Sequence, residues 1–220
     1  MNARRAVPAG DLTPGQRAFL DHLLTTELAE SLYLSGGTAL AAFHLHHRWS
    51  EDLDLFSRHP VDAKAVVRMV GAIAEREPVA HRIQDRLGFI LEIAGAPLRV
   101  EFVHYDFDPI EPPVPRYGKL RVDGLRDILA NKLSAILERT EPKDYTDLLF
   151  LLRTPPLTLE QGIRDCRAKF GWPGLPHLVQ TALLKVDALS GWPETEPPTS
   201  LEEARAYFRQ TVGRLASSSI

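Results

Sequence analysis

Apolar residues recur along the chain with two different periods, and the changes of period mark its elements. Phe19, Leu20, Leu23 and Leu24 fall at helical spacing. Ahead of them Thr13 supplies an N-cap, Pro14 a first-turn proline and Gln16 a capping-box glutamine, which predicts a helix over 14–29. A short apolar run over 31–34 stops at Gly36 and Gly37 and reads as a strand. A helix-period segment follows over 38–47. Residues 50–56 then alternate, so Asp52 and Asp54 share one strand face while Leu53 and Leu55 point to the core. Val66, Val67, Val70 and Ile73 predict the buried side of a helix over 62–76. Residues 88–93 and 98–105 read as two strands of a hairpin joined through Gly95, Ala96 and Pro97. Pro109, Pro112, Pro113 and Pro115 mark an irregular connection.

Beyond that connection the pattern is helical. Asp123 reads as an N-cap, and Leu125, Ile128, Leu129, Leu133 and Ile136 form an apolar stripe. A further helix begins at Lys143, with Leu148, Leu151 and Leu152 below it. Helices are also predicted over 158–170, 176–189 and 200–216, the first and last opened by the capping boxes Thr158 with Gln161 and Ser200 with Glu203. Residues 191–199, with three prolines, read as a loop. The expectation is an α+β protein: a mixed sheet with flanking helices in 1–118, then a helical domain in 119–220 that completes an active-site cleft.

Composition narrows the class. A chain of 220 residues with 44% apolar content can bury one or two ordinary cores without staples. The single cysteine, Cys166, excludes an internal disulfide framework and fits a reducing cytoplasm. No apolar run approaches a membrane span, and Met1-Asn2-Ala3-Arg4-Arg5 leads into Pro8 and Gly10 rather than a signal peptide. A net charge of −3 argues against a protein that coats nucleic acid over its whole surface, yet leaves room for a local basic patch. Arg116, Lys119, Arg121 and Arg126, with Arg139 and Lys143 further along, are such a set.

The chemistry concentrates at the glycine pair and the strand after it. Gly36 and Gly37 let the backbone approach an anion, and the helix start beyond them, with Thr38, aims free N–H groups at it. Asp52 and Asp54 on one strand face suit a divalent cation and a nucleoside triphosphate. Ser50 either bonds a phosphate or completes the start of the strand. Glu101 and Glu92 each stand as a lone acid in an apolar strand and compete for a place beside these aspartates; the bland alternative is a solvent-facing edge acid. Lys132 falls inside the apolar stripe of its helix, where a lysine needs an anion or must snorkel. Arg139 lies close to the same line. Asp144 and Asp147 open the next helix, where dipole compensation alone explains such acids. His44, His46 and His47 lack zinc-pair spacing and read as the exposed end of a helix. Cys166 reads as a packed, inert thiol, and Trp49, Trp172 and Trp192 as cap packing.

The segment Gly36-Gly37-Thr38-Ala39-Leu40 with His47-Arg48-Trp49-Ser50-Glu51-Asp52-Leu53-Asp54-Leu55-Phe56 resembles the nucleotidyltransferase superfamily that includes DNA polymerase beta. Within it the chain is similar to the AbiEii/AbiGii-type nucleotidyltransferase toxins. A later block over 127–149, carrying Lys132, Arg139, Lys143, Asp144 and Asp147, matches at the family's spacing. The likeness spans roughly 30–152. It implies a nucleotidyltransferase-like sheet, with Mg2+ or Mn2+ on Asp52, Asp54 and Glu101. It implies a triphosphate held by Gly36, Gly37, Thr38, Ser50, Lys132, Arg139 and Lys143. Asp147 is implied to orient the attacking hydroxyl or to hold Lys132. The implied acceptor is tRNA, and the implied role that of a toxin with a separately encoded antitoxin. A phosphotransferase on the same scaffold is the alternative; a sugar transferase fits the later block poorly.

Overall fold

A computed structural model describes residues 8–172 and 175–218 of the chain; Met1 to Arg5, read above, lie outside them. The chain divides between Gly124 and Leu125 into two compact units. The first holds helices α1 (Pro14–Leu24), α2 (Leu28–Ser31), α3 (Gly36–Leu40) and α4 (Ala63–Ile73). Its strands are β1 (Tyr33–Ser35), β2 (Asp52–Ser57), β3 (Val79–Ile83), β4 (Arg86–Ile93), β5 (Ala96–His104), β6 (Val114–Tyr117) and β7 (Leu120–Val122). They form one mixed sheet in the order β3-β4-β5-β2-β1-β7-β6. A break after residue 118, as the sequence suggests, would part β6 from β7, the strand that joins it to the rest of the sheet.

Strand alternation builds the core. Leu53 and Leu55 of β2, Phe89, Leu91 and Ile93 of β4, and Leu98, Val100 and Phe102 of β5 are all buried. Phe19 of α1 meets Phe102 with ring centroids 6.4 Å apart, and Phe89 meets Phe102 edge-on at 6.1 Å. Each such side chain contributes about 1.5–3 kcal/mol by leaving water. The other face of the sheet carries Asp52, Asp54 and Glu101, with a small apolar cluster of Tyr33, Phe56 and Val103 beside them.

The second unit contains α5 (Leu125–Glu138), α6 (Pro142–Leu152), α7 (Leu159–Phe170), α8 (Leu175–Leu184), a 3-10 turn over Lys185–Ala188, and α9 (Leu201–Ser218). Helix α5 packs against α6, α7 and α8. Gly162 permits its close approach to α7, since a Cβ there would stand 2.8 Å from Leu129 Cδ2. The buried Tyr145 bonds the Ala182 carbonyl at 2.7 Å and meets Phe208 edge-on. Burial pushes its phenol pKa up to about 12. Among the described residues no helix is long and apolar enough to cross a membrane.

Several sequence expectations shift. The helix over 14–29 breaks after Leu24, because Thr25 and Thr26 donate their hydroxyls to the carbonyls of His22 and Leu23 and end the turn. Ser31 therefore lies in α2, and the strand is Tyr33–Ser35. The helix over 38–47 begins at Gly36, widens to a π turn over Ala41–Leu45 and stops at His46, whose φ of 51° is left-handed. Val67, placed on the buried side of α4, is 52% exposed; Val66, Met69 and Val70 face inward instead. Strand β3 goes unread because most of its residues are exposed. Strands β6 and β7 lie in the stretch read as irregular; Pro115 is tolerated there because β6 is a sheet edge. The Ser200–Glu203 box forms both bonds. The Thr158 box forms one, since the Gln161 amide turns to Asp165.

Candidate active site

The first wall of the site is the glycine turn. Gly36 has a φ of +71°, and a Cβ there would collide with the Asp54 carboxylate, so both conformation and space demand glycine. A Cβ on Gly37 would stand 2.5 Å from Arg48 Nη2 and 3.1 Å from Ser50 Oγ. Thr38 Oγ1 bonds the Asp52 carbonyl and Ser50 Oγ, the latter at 2.8 Å. The buried Gln16 amide donates to the Ser50 carbonyl at 3.0 Å, while its oxygen accepts from Thr13 N–H at 2.9 Å. One side chain thus completes the capping box of α1 and ties that helix to the strand bearing the aspartates.

The second wall is a row of residues across the sheet. Ser35 pairs with Asp54, Asp54 with Glu101, Glu101 with Gly88, and Gly88 with His81. Directly opposed residues point to the same face, so Asp52, Asp54 and Glu101 share one side, each half-buried. Like charges placed opposite one another repel, and Asp54 and Glu101 are such a pair. Arg86 meets part of that charge, its Nη1 donating to Glu101 Oε2 at 3.0 Å. At the far end Ser35 Oγ donates to the buried Asp123 carboxylate at 2.8 Å. Glu92 pairs with Pro97, four positions from Glu101 along β5, roughly 13 Å at strand rise, and bonds Arg76 at 3.1 Å. The acid in register with Asp54 is Glu101.

Among the described residues no three or more His, Cys, Asp or Glu side chains stand close enough together to hold a metal ion as they are placed. The donors that share the face are carboxylate oxygens, the hard-ligand chemistry that suits Mg2+ or Mn2+, and in that respect the residues fit the ion.

In the second unit, Lys132 is 6% exposed and does not snorkel. Its Nζ lies 2.7 Å from Asp144 Oδ1 and 2.7 Å from Asp147 Oδ2, both carboxylates fully buried. Arg139 Nε donates to the other Asp144 oxygen at 2.7 Å. Burial alone would raise the Asp144 pKa, but Lys132 and Arg139 outweigh it and hold the carboxyl below the ordinary range. Asp144 is therefore the hub of this network, not merely a helix-dipole partner. Lys143 is exposed.

Other residues depart from expectation. His46 is exposed, but His47 and Arg48 are buried. The left-handed turn at His46 swings them inward, where Gly10 N–H donates to the Arg48 carbonyl at 3.1 Å. His44 Nε2 donates to the Asp123 carbonyl at 2.9 Å. Burial pushes the Cys166 thiol up to about 12, which makes it inert. Trp172 stacks on Phe170 at 5.3 Å, a cap contact. The basic set is largely engaged within the protein. Arg126 makes a two-point pair with Asp165, Arg121 bonds the Glu30 carbonyl, Lys119 approaches the Glu30 carboxylate, and Arg139 holds Asp144. Gln16, Ser35, Arg86 and Asp123 were not legible as site residues. Gln16 and Asp123 had local signals, their capping positions, and those signals say nothing of the bonds to Ser50 and Ser35.

The chain is similar to known proteins in sequence and in fold. The family described as "Nucleotidyl transferase AbiEii toxin, Type IV TA system" matches residues 18–126 and 119–206. An uncharacterized protein of Aquifex aeolicus (strain VF5) is 26% identical over 200 residues, covering 90% of this chain and 94% of its own. Among solved structures, JHP933 from Helicobacter pylori aligns with a TM-score of 0.55 at 22% identity, over 92% of this chain and 91% of its own. MenT4, the nucleotidyltransferase toxin Rv2826c of Mycobacterium tuberculosis H37Rv, aligns at 0.56 and 17% identity, over 91% and 81%. The structures are similar in fold; the family match spans most of the sequence. The chain belongs to the AbiEii nucleotidyltransferase toxin family.

Proposed function

We propose that this nucleotidyltransferase moves a nucleoside monophosphate from a nucleoside triphosphate to an acceptor hydroxyl. The acceptor oxygen forms a bond to the α-phosphorus, the bond from that phosphorus to the bridging oxygen breaks, and pyrophosphate leaves. The observation that carries this reading is the shared face of Asp52, Asp54 and Glu101 beside a glycine turn closed by Asp54 itself. These three carboxylates would hold Mg2+ or Mn2+, which when bound polarises the phosphoryl oxygens and acidifies the attacking hydroxyl.

The protein's own groups do the rest. The backbone at Gly36, Gly37 and Thr38 takes the triphosphate oxygens, with Ser50 at its border. Glu101 accepts the acceptor's proton. By the family's second block, Lys132, Arg139 and Lys143 offset triphosphate charge, and Asp147 fixes Lys132. The 2.7 Å contacts of Lys132 with Asp144 and Asp147 favour an ammonium held charged and in one place.

The acceptor under this reading is the 3′ end of tRNA, and the chain is a growth-arresting cytoplasmic toxin with a separately encoded antitoxin. The family supports the toxin and antitoxin part; the basic set, engaged as it is with the protein's own acceptors, adds little to the tRNA part. Triphosphate labelled at the α or the γ position tests the chemistry: α-label is expected in the acceptor, and γ-label there instead indicates the phosphotransferase. Sequencing tRNA 3′ ends after induction tests the target. Added nucleotides with arrested growth are expected; unmodified ends with normal growth remove the tRNA reading.

A further inference from the structure

We propose that Arg86 is a positioning residue that holds Glu101 in an ion pair and gives it up to the divalent cation, so that cation binding to the row is opposed by a built-in guanidinium. The inference rests on the reading of Glu101 as a metal ligand. Arg86 opens β4, and alternation puts Arg86, Gly88 and Ile90 on the face that carries Glu101. Gly88, which faces Glu101 in the ladder, adds no side chain, and the His81 ring lies over it. Arg86 Nη1 reaches Glu101 Oε2 at 3.0 Å from two positions away.

The two partners differ in exposure. The Arg86 side chain is 51% exposed and Glu101 only 18%. The guanidinium can swing into water at little cost, while Glu101 stays in the row against Asp54. An ion pair this open is weak and exchangeable. A divalent cation bound to the same carboxylate repels the guanidinium, so the two uses of Glu101 compete. With the pair intact, Glu101 is also pre-placed in the register the row requires. Arg86 then limits cation affinity and holds its ligand ready.

Binding of Mn2+ alone to the full chain, followed by the electron paramagnetic resonance of the free ion, tests this without turnover. Glu101→Gln is expected to weaken binding. Arg86→Gln is expected to tighten it about two- to fivefold, the range of a half-exposed ion pair. Arg82→Gln, an equal charge change at an exposed β3 position on the other face, is expected to change nothing. The Arg86→Gln, Glu101→Gln double variant should bind as Glu101→Gln does. If Glu101→Gln weakens binding while Arg86→Gln leaves it unchanged or weaker, the role of Arg86 fails and the carboxylate reading survives. A gain from Arg86→Gln that persists without Glu101, or that Arg82→Gln matches, also overturns it. If Glu101→Gln binds as tightly as the wild type, both fail. Melting curves confirm that each variant is folded.

Discussion

At the scale of single residues, Lys132 carries consequences that the sequence alone misjudges. A lysine that only met triphosphate would lose turnover on truncation and little stability. Here its ammonium neutralises two fully buried carboxylates, so Lys132→Ala takes that cation from Asp147 and leaves Asp144 to Arg139. Removing one partner of a buried pair costs about 3–5 kcal/mol, and thermal melting should show that loss. An unchanged midpoint would contradict the network. His44 gives a pH dependence. Burial lowers its pKa below the ordinary 6.5, against the bond to the Asp123 carbonyl and helped by Arg116 and His46. The folded protein therefore takes up this proton less readily than the unfolded chain. Stability from this group is present above the ordinary value and is lost as pH falls through the lower folded value. Denaturant midpoints from about pH 8 to pH 5 should decline, and His44→Gln should flatten that decline.

At the scale of elements, the glycine turn and the Asp52–Asp54 strand were legible because their signals are local: two glycines, then strict alternation. Helices α7 and α9 were legible through their caps. The edge strands were not, since Val79 and Ile83 of β3 and Val114 of β6 are exposed and show no buried stripe to read. Nor was the row from Ser35 to His81, because its register is set by pairing between distant strands. The tie through Gln16 belongs to the same class, and it predicts a separable pair of variants. Gln16→Leu keeps volume but loses the bonds to Thr13 N–H and the Ser50 carbonyl. It should cost about 1–3 kcal/mol and also lower turnover, as the turn and the aspartate strand lose their brace. Thr13→Ala removes only the cap and should cost about 1 kcal/mol with turnover unchanged. Equal loss of turnover in both variants would refute the brace.

At the scale of the whole molecule, a net charge of −3 conceals an uneven distribution: acids gather on one sheet face, and most members of the basic set are engaged internally. Under the proposed reading a divalent cation would add positive charge among those acids, beside the Arg86 that already faces them. The family and the fold could be read from two motif blocks in order; of the site residues' partners, only Asp147 for Lys132 was among the expectations, through the resemblance. The most direct test is the rate of α-label incorporation by the wild type and by Asp54→Asn, Glu101→Gln and Glu92→Gln. Losses of about 10²- to 10³-fold are expected for Asp54→Asn and Glu101→Gln, with Glu92→Gln unaffected. A Glu101→Gln enzyme that keeps its rate, or a Glu92→Gln enzyme that loses it, would contradict the assignment of the carboxylate row.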